Sequence, residues 1–259
     1  MTAVPPRFAG PLLRREQIPI IVAIVLIVAI AWIYLVDLSH TMGAGMHIDA
    51  MGMDSTSPTV ALRFGMWAVM MIGMMLPSAI PMTLIYAAAA RKAGNDGSPL
   101  APTFVFVAGY VLVWTAFSVA ATAGQWGLER AALLSPEMRS NSAVLGGLVL
   151  LAAGLYQLTP LKRVCLDKCR SPAELISRYW RGSSIRLGVR YGLFCLGCCW
   201  VLMALLFVGG VMNLLWVALI AVFVLLEKTA PFGRIVGRVA GGAMVVFGAA
   251  ALGGLLTLG

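Results

Sequence analysis

Acidic side chains are scarce in this chain, with ten Asp and Glu among 259 residues, two histidines and 11% charged residues in all. Little material remains for a hydrolase built on paired carboxylates. No Walker-type phosphate loop, long internal repeat or low-complexity linker is present. Cysteine is limited to five. Against these deficits stand 61% hydrophobic residues, 28 Gly and 15 Met, more apolar material than one soluble core can hide. An ordinary soluble domain and a disordered tail are excluded, and the expectation is an all-α, polytopic transmembrane helix bundle.

Long uncharged runs give about seven spans: Pro19 to Val36, Phe64 to Ala89, Pro102 to Gly124, Ser142 to Leu158, Val189 to Val208, Asn213 to Leu226 and Ile235 to Leu258. The sixth is short, and the uncharged break at Gly209, Gly210 and Val211 also admits a re-entrant pair, so six to eight spans fit. Alternate loops should differ in Lys and Arg. Sixteen of the 19 basic residues fall on one side: Arg7, Arg14 and Arg15, then Arg91 and Lys92, then the eight from Lys162 to Arg190, then Lys228, Arg234 and Arg238. Arg63, Arg130 and Arg139 fall on the other. The net charge of +9 is therefore mostly a topology signal, placing the N-terminus in the cytoplasm and the C-terminus in the periplasm of a bacterial inner membrane. A cleavable signal peptide competes for residues 1–36, but the apolar run outlasts the usual ~7–15-residue core and continues past Ala29-Ile30-Ala31.

The expected organisation is a cytoplasmic segment at 1–18, a first transmembrane helix at 19–36, a periplasmic loop at 37–63 and a helical membrane domain at 64–259. Within that domain, 159–188 forms a cytoplasmic segment with cysteines and an interfacial helix. Ser171-Pro172-Ala173-Glu174 reads as a capping-box start, after which Leu175, Ile176, Tyr179 and Trp180 share a side suited to the lipid interface.

The loop at 37–63 carries both histidines, His40 and His47, with Met42, Met46, Met51 and Met53 between glycines. Thioether sulfur is a soft donor that prefers Cu(I), imidazole binds Cu(I) and Cu(II), and neither forms disulfides in an oxidising compartment. A mobile tether touching the membrane surface is the plain alternative. The second span continues the pattern with Met66, Met70 and Met74 on one helical stripe and Met71 and Met75 on another. Ordinary apolar packing by Met competes with a thioether relay. Pro77 and Pro81 interrupt the same helix, giving either a static kink or a bending element.

All five cysteines fall near the inner face: Cys165 and Cys169 after the fourth span, and Cys195, Cys198 and Cys199 in the fifth. In a reducing cytoplasm, Cys-x-x-x-Cys and Cys-x-x-Cys suit convergence on Cu(I) or Zn(II) better than structural disulfides, with Lys162, Lys168 and Arg170 as nearby cations. Small buried residues in helix packing are the alternative. Glu227 and Lys228 read as an ion pair at the interface. Gly237 and Gly241 form Gly-x-x-x-Gly, a close-packing signal.

Met-Met-Leu-Pro-Ser-Ala-Ile-Pro-Met at 74–82, Tyr156-Gln157-Leu158-Thr159-Pro160-Leu161-Lys162 leading to Cys165 and Cys169, and Cys195-Leu196-Gly197-Cys198-Cys199-Trp200 ahead of Met212-Asn213 and Glu227-Lys228 occur together. On these motifs, over roughly 64–230, the chain resembles the bacterial predicted metal-binding integral membrane proteins, domain of unknown function 2182. The resemblance implies metal binding without an established reaction.

The reading is a metal-binding or transport protein rather than an enzyme. Copper as Cu(I) passes from the Met/His loop along the second span to cytoplasmic-side cysteines, with zinc the other candidate at the cysteines. Expected partners are the lipid bilayer, the metal ion, a periplasmic or cytoplasmic metallochaperone or metalloenzyme, and a second copy of the chain; nucleic acid is not expected. Transmembrane thiol-disulfide transfer and a metalloenzyme assembly factor or scaffold remain open alternatives.

Overall fold

The computed structural model describes residues 17–49, 60–93, 99–131, 143–179 and 183–254. Among these residues the chain is all-α, with α1 at Ile18–Asp49, α2 at Val60–Ala93, α3 at Leu100–Arg130, α4 at Ala143–Leu158 and α5 at Pro160–Arg170. The order continues with α6 at Pro172–Tyr179, α7 at Ser184–Ala204, the short α8 at Leu206–Gly209, α9 at Leu214–Thr229 and α10 at Gly233–Leu252. Five helices are long and apolar enough to cross a membrane, and α4 with α5, bent by 63° at their junction, make up to six.

The expected loop at 37–63 begins as helix instead, since α1 runs on to Asp49. No proline occurs between Pro19 and Pro58. Gly43 and Gly45 each cost only about 1 kcal/mol in a helix and remove no backbone donor.

Central in the bundle, α2 packs against α1, α3 and α9, while α3 also packs on α7, α5 on α7, and α4 on α10. The α4–α10 contact depends on small residues: a Cβ on Gly154 would lie 2.7 Å from the Gly241 carbonyl oxygen and from the Val245 amide nitrogen. The Gly-x-x-x-Gly signal at Gly237 and Gly241 thus falls on a helix contact, with Gly241 against Gln157 and Gly237 against the Glu227 carboxylate.

The break expected at Gly209–Val211 separates α8 from α9. Gly210 adopts φ 90°, a left-handed conformation open to glycine, and Asn213 caps α9 by accepting the Trp216 amide at 3.2 Å. Trp216 Nε1 donates to the Leu205 carbonyl at 2.9 Å, fastening α9 back against α7 and α8. At the other junction, Thr159 caps α5 by accepting the Lys162 amide at 3.3 Å, and Pro160 supplies a first helical residue with no amide to satisfy. A cap and a proline together make the bend.

The segment expected to start at Ser171 is helical as α6, but its Leu175 and Ile176, expected to face lipid, are buried against the neighbouring helices. Its Glu174 pairs with Lys168 rather than turning back to Ser171. Beyond the two prolines α2 stays helical to Ala93. At the opposite end of α2, Trp67 Nε1 donates to Gln125 at 2.7 Å, Gln125 donates to Glu129 at 2.9 Å, and Glu129 pairs with Arg63.

Candidate metal centre

Helical spacing decides which side chains α5 and α7 turn inward. On α5 the buried residues are Lys162, Leu166 and Cys169, at spacings of four and three. On α7 the buried set includes Gly188, Tyr191, Cys195, Cys198, Cys199 and Leu202, again one stripe. Because α5 packs on α7, the two stripes meet. Cys198 shares a buried neighbourhood with Cys169, Cys195 and Cys199. Cys165, one turn earlier, is half-buried beside Gly197, a position where a Cβ would lie 2.9 Å from its sulfur. All five cysteines are free thiols.

Cys198 and Cys199 both donate S–H to the Cys195 carbonyl at 3.0 Å. These are resting rotamers, and among the described residues no three His, Cys, Asp or Glu side chains are arranged as they stand to hold a metal. Thiolate sulfur is the soft donor that Cu(I) and Zn(II) both accept, so the donor set fits either ion.

The second span meets this cluster through a closed ring of polar contacts. Tyr110 OH donates to the Met75 carbonyl at 3.0 Å and lies 3.1 Å from Cys195 Sγ. Lys228 Nζ donates to Cys195 Sγ at 2.8 Å and to Ser78 Oγ at 3.1 Å, and Ser78 donates to the Met75 carbonyl at 2.8 Å. One backbone carbonyl and four side chains from α2, α3, α7 and α9 therefore close a circuit at the first proline of α2. Tyr191 packs beside it, its ring 5.5 Å from Tyr110 and 6.0 Å from Phe106, and Phe106 stacks on Tyr86 at 4.7 Å.

Glu227 and Lys228 do not pair with each other. Successive helical residues point about 100° apart, so the two face different neighbours. Glu227 accepts from Lys162 at 2.8 Å and from Gln157 at 3.0 Å, and Lys162 also donates to Gln157. The other cations expected to attend the thiols are committed elsewhere: Lys168 pairs with Glu174, and Arg170 binds the carbonyls of Glu227 and Ala230 at 2.6 and 2.8 Å. The ammonium at the cysteines is that of Lys228. Tyr110 and Tyr191 carry no spacing signal in the sequence, and Ser78 is visible there only as part of the motif at 74–82.

Met66, Met70 and Met74 are buried in the bundle, as are Met71, Met75 and Met82. Both stripes face protein. His40 is exposed on α1. Met51 and Met53 lie outside the described residues, as do the side chains of Met42, Met46 and His47.

Among the described residues the chain is all-helical, with five helices long and apolar enough to cross a membrane and four buried thiols from α5 and α7 packed near one another, which defines the class as a helical, membrane-span-capable protein with a buried cysteine cluster. The chain belongs to the PpoB2 copper chaperone family, whose model matches residues 64–251. All five cysteines, Lys228 and Met66, Met70 and Met74 fall within the match; the Met/His segment at 40–53 precedes it. No curated protein and no solved structure matches the chain.

Proposed function

We propose that this chain is an integral membrane copper chaperone that holds Cu(I) at Cys169, Cys195, Cys198 and Cys199, with Cys165 at the rim as the first or last thiol to touch the ion. The observation that carries the reading is the convergence of α5 and α7 thiols beside the Met75–Ser78 turn of the Met-lined helix. The buried methionines of α2 and the thiols of α5 and α7 belong to the same core, and thioether and thiolate are both soft donors suited to Cu(I). Zn(II) is the competitor at the thiols.

In this reading the ion arrives from the periplasmic side, is recruited by His40, Met42, Met46, His47, Met51 and Met53, and moves along Met66, Met70 and Met74 to the cysteines. It is then handed to a metallochaperone or metalloenzyme. Seven spans, with the N-terminus in the cytoplasm and the C-terminus in the periplasm of a bacterial inner membrane, fit the basic-residue bias. The exposed apolar surface supports residence in lipid: Ile30 and Ile33 on α1 are 64% and 68% exposed, and Val239 and Val246 on α10 are 67% and 66%. At 34 residues, α2 is about 50 Å long, more than the ~30 Å of a hydrocarbon core, so it is long enough to cross with its ends beyond the hydrocarbon. Helix α9, with 16 residues, spans about 24 Å and supplies the seventh crossing only where the bilayer thins or the helix ends are buried in protein.

Anaerobic titration of the purified chain with Cu(I) against a competing chelator tests the assignment. The expected result is about one ion per chain, lost in Cys198→Ser, since Cys198 neighbours the three other thiols. Absence of binding overturns the copper reading. Full Cu(I) binding in a variant lacking all five cysteines moves the site to the methionines. Recovery of a mixed disulfide with a thioredoxin-like partner, without metal, replaces it with thiol-disulfide transfer.

A further inference from the structure

Two contacts set the register of α2 and α3 near the start of α2: Arg63 pairs with Glu129, and Trp67 donates to Gln125 at 2.7 Å, so four residues forward on α2 match four back on α3. Beside this antiparallel contact lies a cavity of about 510 Å³, lined by Val60, Arg63 and Phe64 on α2 and by Val119, Ala123 and Trp126 on α3. Spacings of three and four place each set on one helical stripe. The volume is that of a ligand pocket, within the usual range of roughly 300–1,000 Å³. Thr122, also on the wall, donates its hydroxyl to the Ser118 carbonyl at 2.8 Å, which leaves a surface of hydrocarbon and indole with one guanidinium in it. Val60, Val119, Ala123 and Trp126 are exposed, so the cavity opens on the outer flank of the bundle.

Charge gathers at the end nearest the helix termini. Arg63 bonds Glu129 through one terminal nitrogen, while its Nε is buried and has no acceptor among the described residues. Arg130 lies with its guanidinium carbon 3.8 Å from the centre of the Trp126 ring, and no carboxylate among the described residues pairs with it. The Arg63–Glu129 pair is neutral as a unit, so Arg130 gives the mouth one net positive charge. A buried donor without an acceptor is costly, and an anionic oxygen satisfies it best. We propose that this cleft binds one anionic phospholipid, its acyl chain along Phe64, Val119 and Ala123 and its headgroup phosphate at Arg63 Nε and Arg130. Trp126 stands at the junction, where an indole favours the boundary between hydrocarbon and water. A zwitterionic phospholipid carries an ammonium as well as the phosphate, which the net charge of the mouth disfavours. The site depends on residence in lipid and not on any metal.

Native mass spectrometry of the delipidated full chain tests the site, with phosphatidylglycerol and phosphatidylcholine of identical acyl chains titrated separately in detergent. One phosphatidylglycerol per chain is expected to bind ahead of further copies, and more tightly than phosphatidylcholine. Arg130→Gln is expected to weaken phosphatidylglycerol about five-fold, the scale of one basic side chain at an anionic surface. Arg63→Lys keeps a cation for Glu129 and removes Nε, and a similar loss is expected. Ala123→Trp fills the cavity and should abolish the tight copy whichever headgroup it carries. Equal affinity for the two lipids, binding that climbs without a tight first copy, or tight binding unaffected by Ala123→Trp or by Arg130→Gln overturns the proposal. Ala123 and Arg130 are exposed, so these two variants decide the matter where Arg63→Lys impairs folding. Alkaline washing of membranes carrying the chain separates this site from the reading it depends on. Release of the chain refutes residence in lipid, whereas a retained chain with no lipid preference refutes only the site.

Discussion

Replacing Lys162 by methionine removes the ammonium that Glu227 accepts from at 2.8 Å, in a pair whose side chains are 2% and 3% exposed. The carboxylate is left with the Gln157 amide at 3.0 Å and no cation bonded to it, while Gln157 loses the donor to its own oxygen. Breaking a buried pair by removing one member costs about 3–5 kcal/mol, because a charge is left desolvated and uncompensated. For a chain of this size, 1 kcal/mol corresponds to roughly 2–4 °C, so the apparent melting temperature should fall by roughly 6–20 °C. Glu227→Gln should fall by a similar amount, now stranding the ammonium. The double variant Lys162→Met/Glu227→Gln should recover most of the loss, since neither position then carries an unpaired charge. Thermal unfolding in detergent, followed by circular dichroism for all four proteins, completes the cycle. Losses that simply add in the double variant, or single variants as stable as wild type, would refute the assignment of Lys162 and Glu227 as a desolvated pair.

Other consequences are open to direct measurement. Gly154→Ala should destabilise by about 1–3 kcal/mol, since the added carbon meets the Gly241 carbonyl oxygen at 2.7 Å, and the shift should appear in the same melting assay. Trp67→Phe should cost about 1–3 kcal/mol by leaving the buried Gln125 oxygen without its 2.7 Å donor, read as a lower melting temperature with unchanged helicity. Brief maleimide labelling with mass spectrometry should modify half-buried Cys165 ahead of the four buried cysteines, and bound Cu(I) should protect the buried four. Uniform labelling of all five would contradict the packing of α5 on α7. Applied to oriented vesicles, a membrane-impermeant reagent should reach Cys165 from the cytoplasmic side, and labelling from the periplasmic side would invert the proposed topology.

Composition and hydropathy were enough for the all-helical character and for the membrane-length helices. Ser171-Pro172 and Gly209–Val211 mark the start of α6 and the break between α8 and α9, because caps, prolines and a left-handed glycine act within a few residues, whereas the helix α5 at Pro160–Arg170 was not foreseen in that charged segment. The cysteine stripe on α7 was legible for the same reason, since residues 195, 198 and 199 share a face at helical spacing. The helical continuation through His40 to Asp49 was not legible, because glycine between polar residues carries a loop signal that a long uninterrupted helix overrides.

What the sequence determined by itself was an apolar, all-helical chain with soft donors at helical spacing. Which cation faces which anion was decided only by tertiary structure. Lys228 meets Cys195 across 33 residues and Ser78 across 150, and Lys162 meets Glu227 across 65. The sequence neighbours Glu227 and Lys228 are turned about 100° apart by their own helix and cannot share a partner face. Pairing in a low-dielectric bundle is settled by which helices pack together, and that packing brings a lysine to the cysteines and a different lysine to the glutamate.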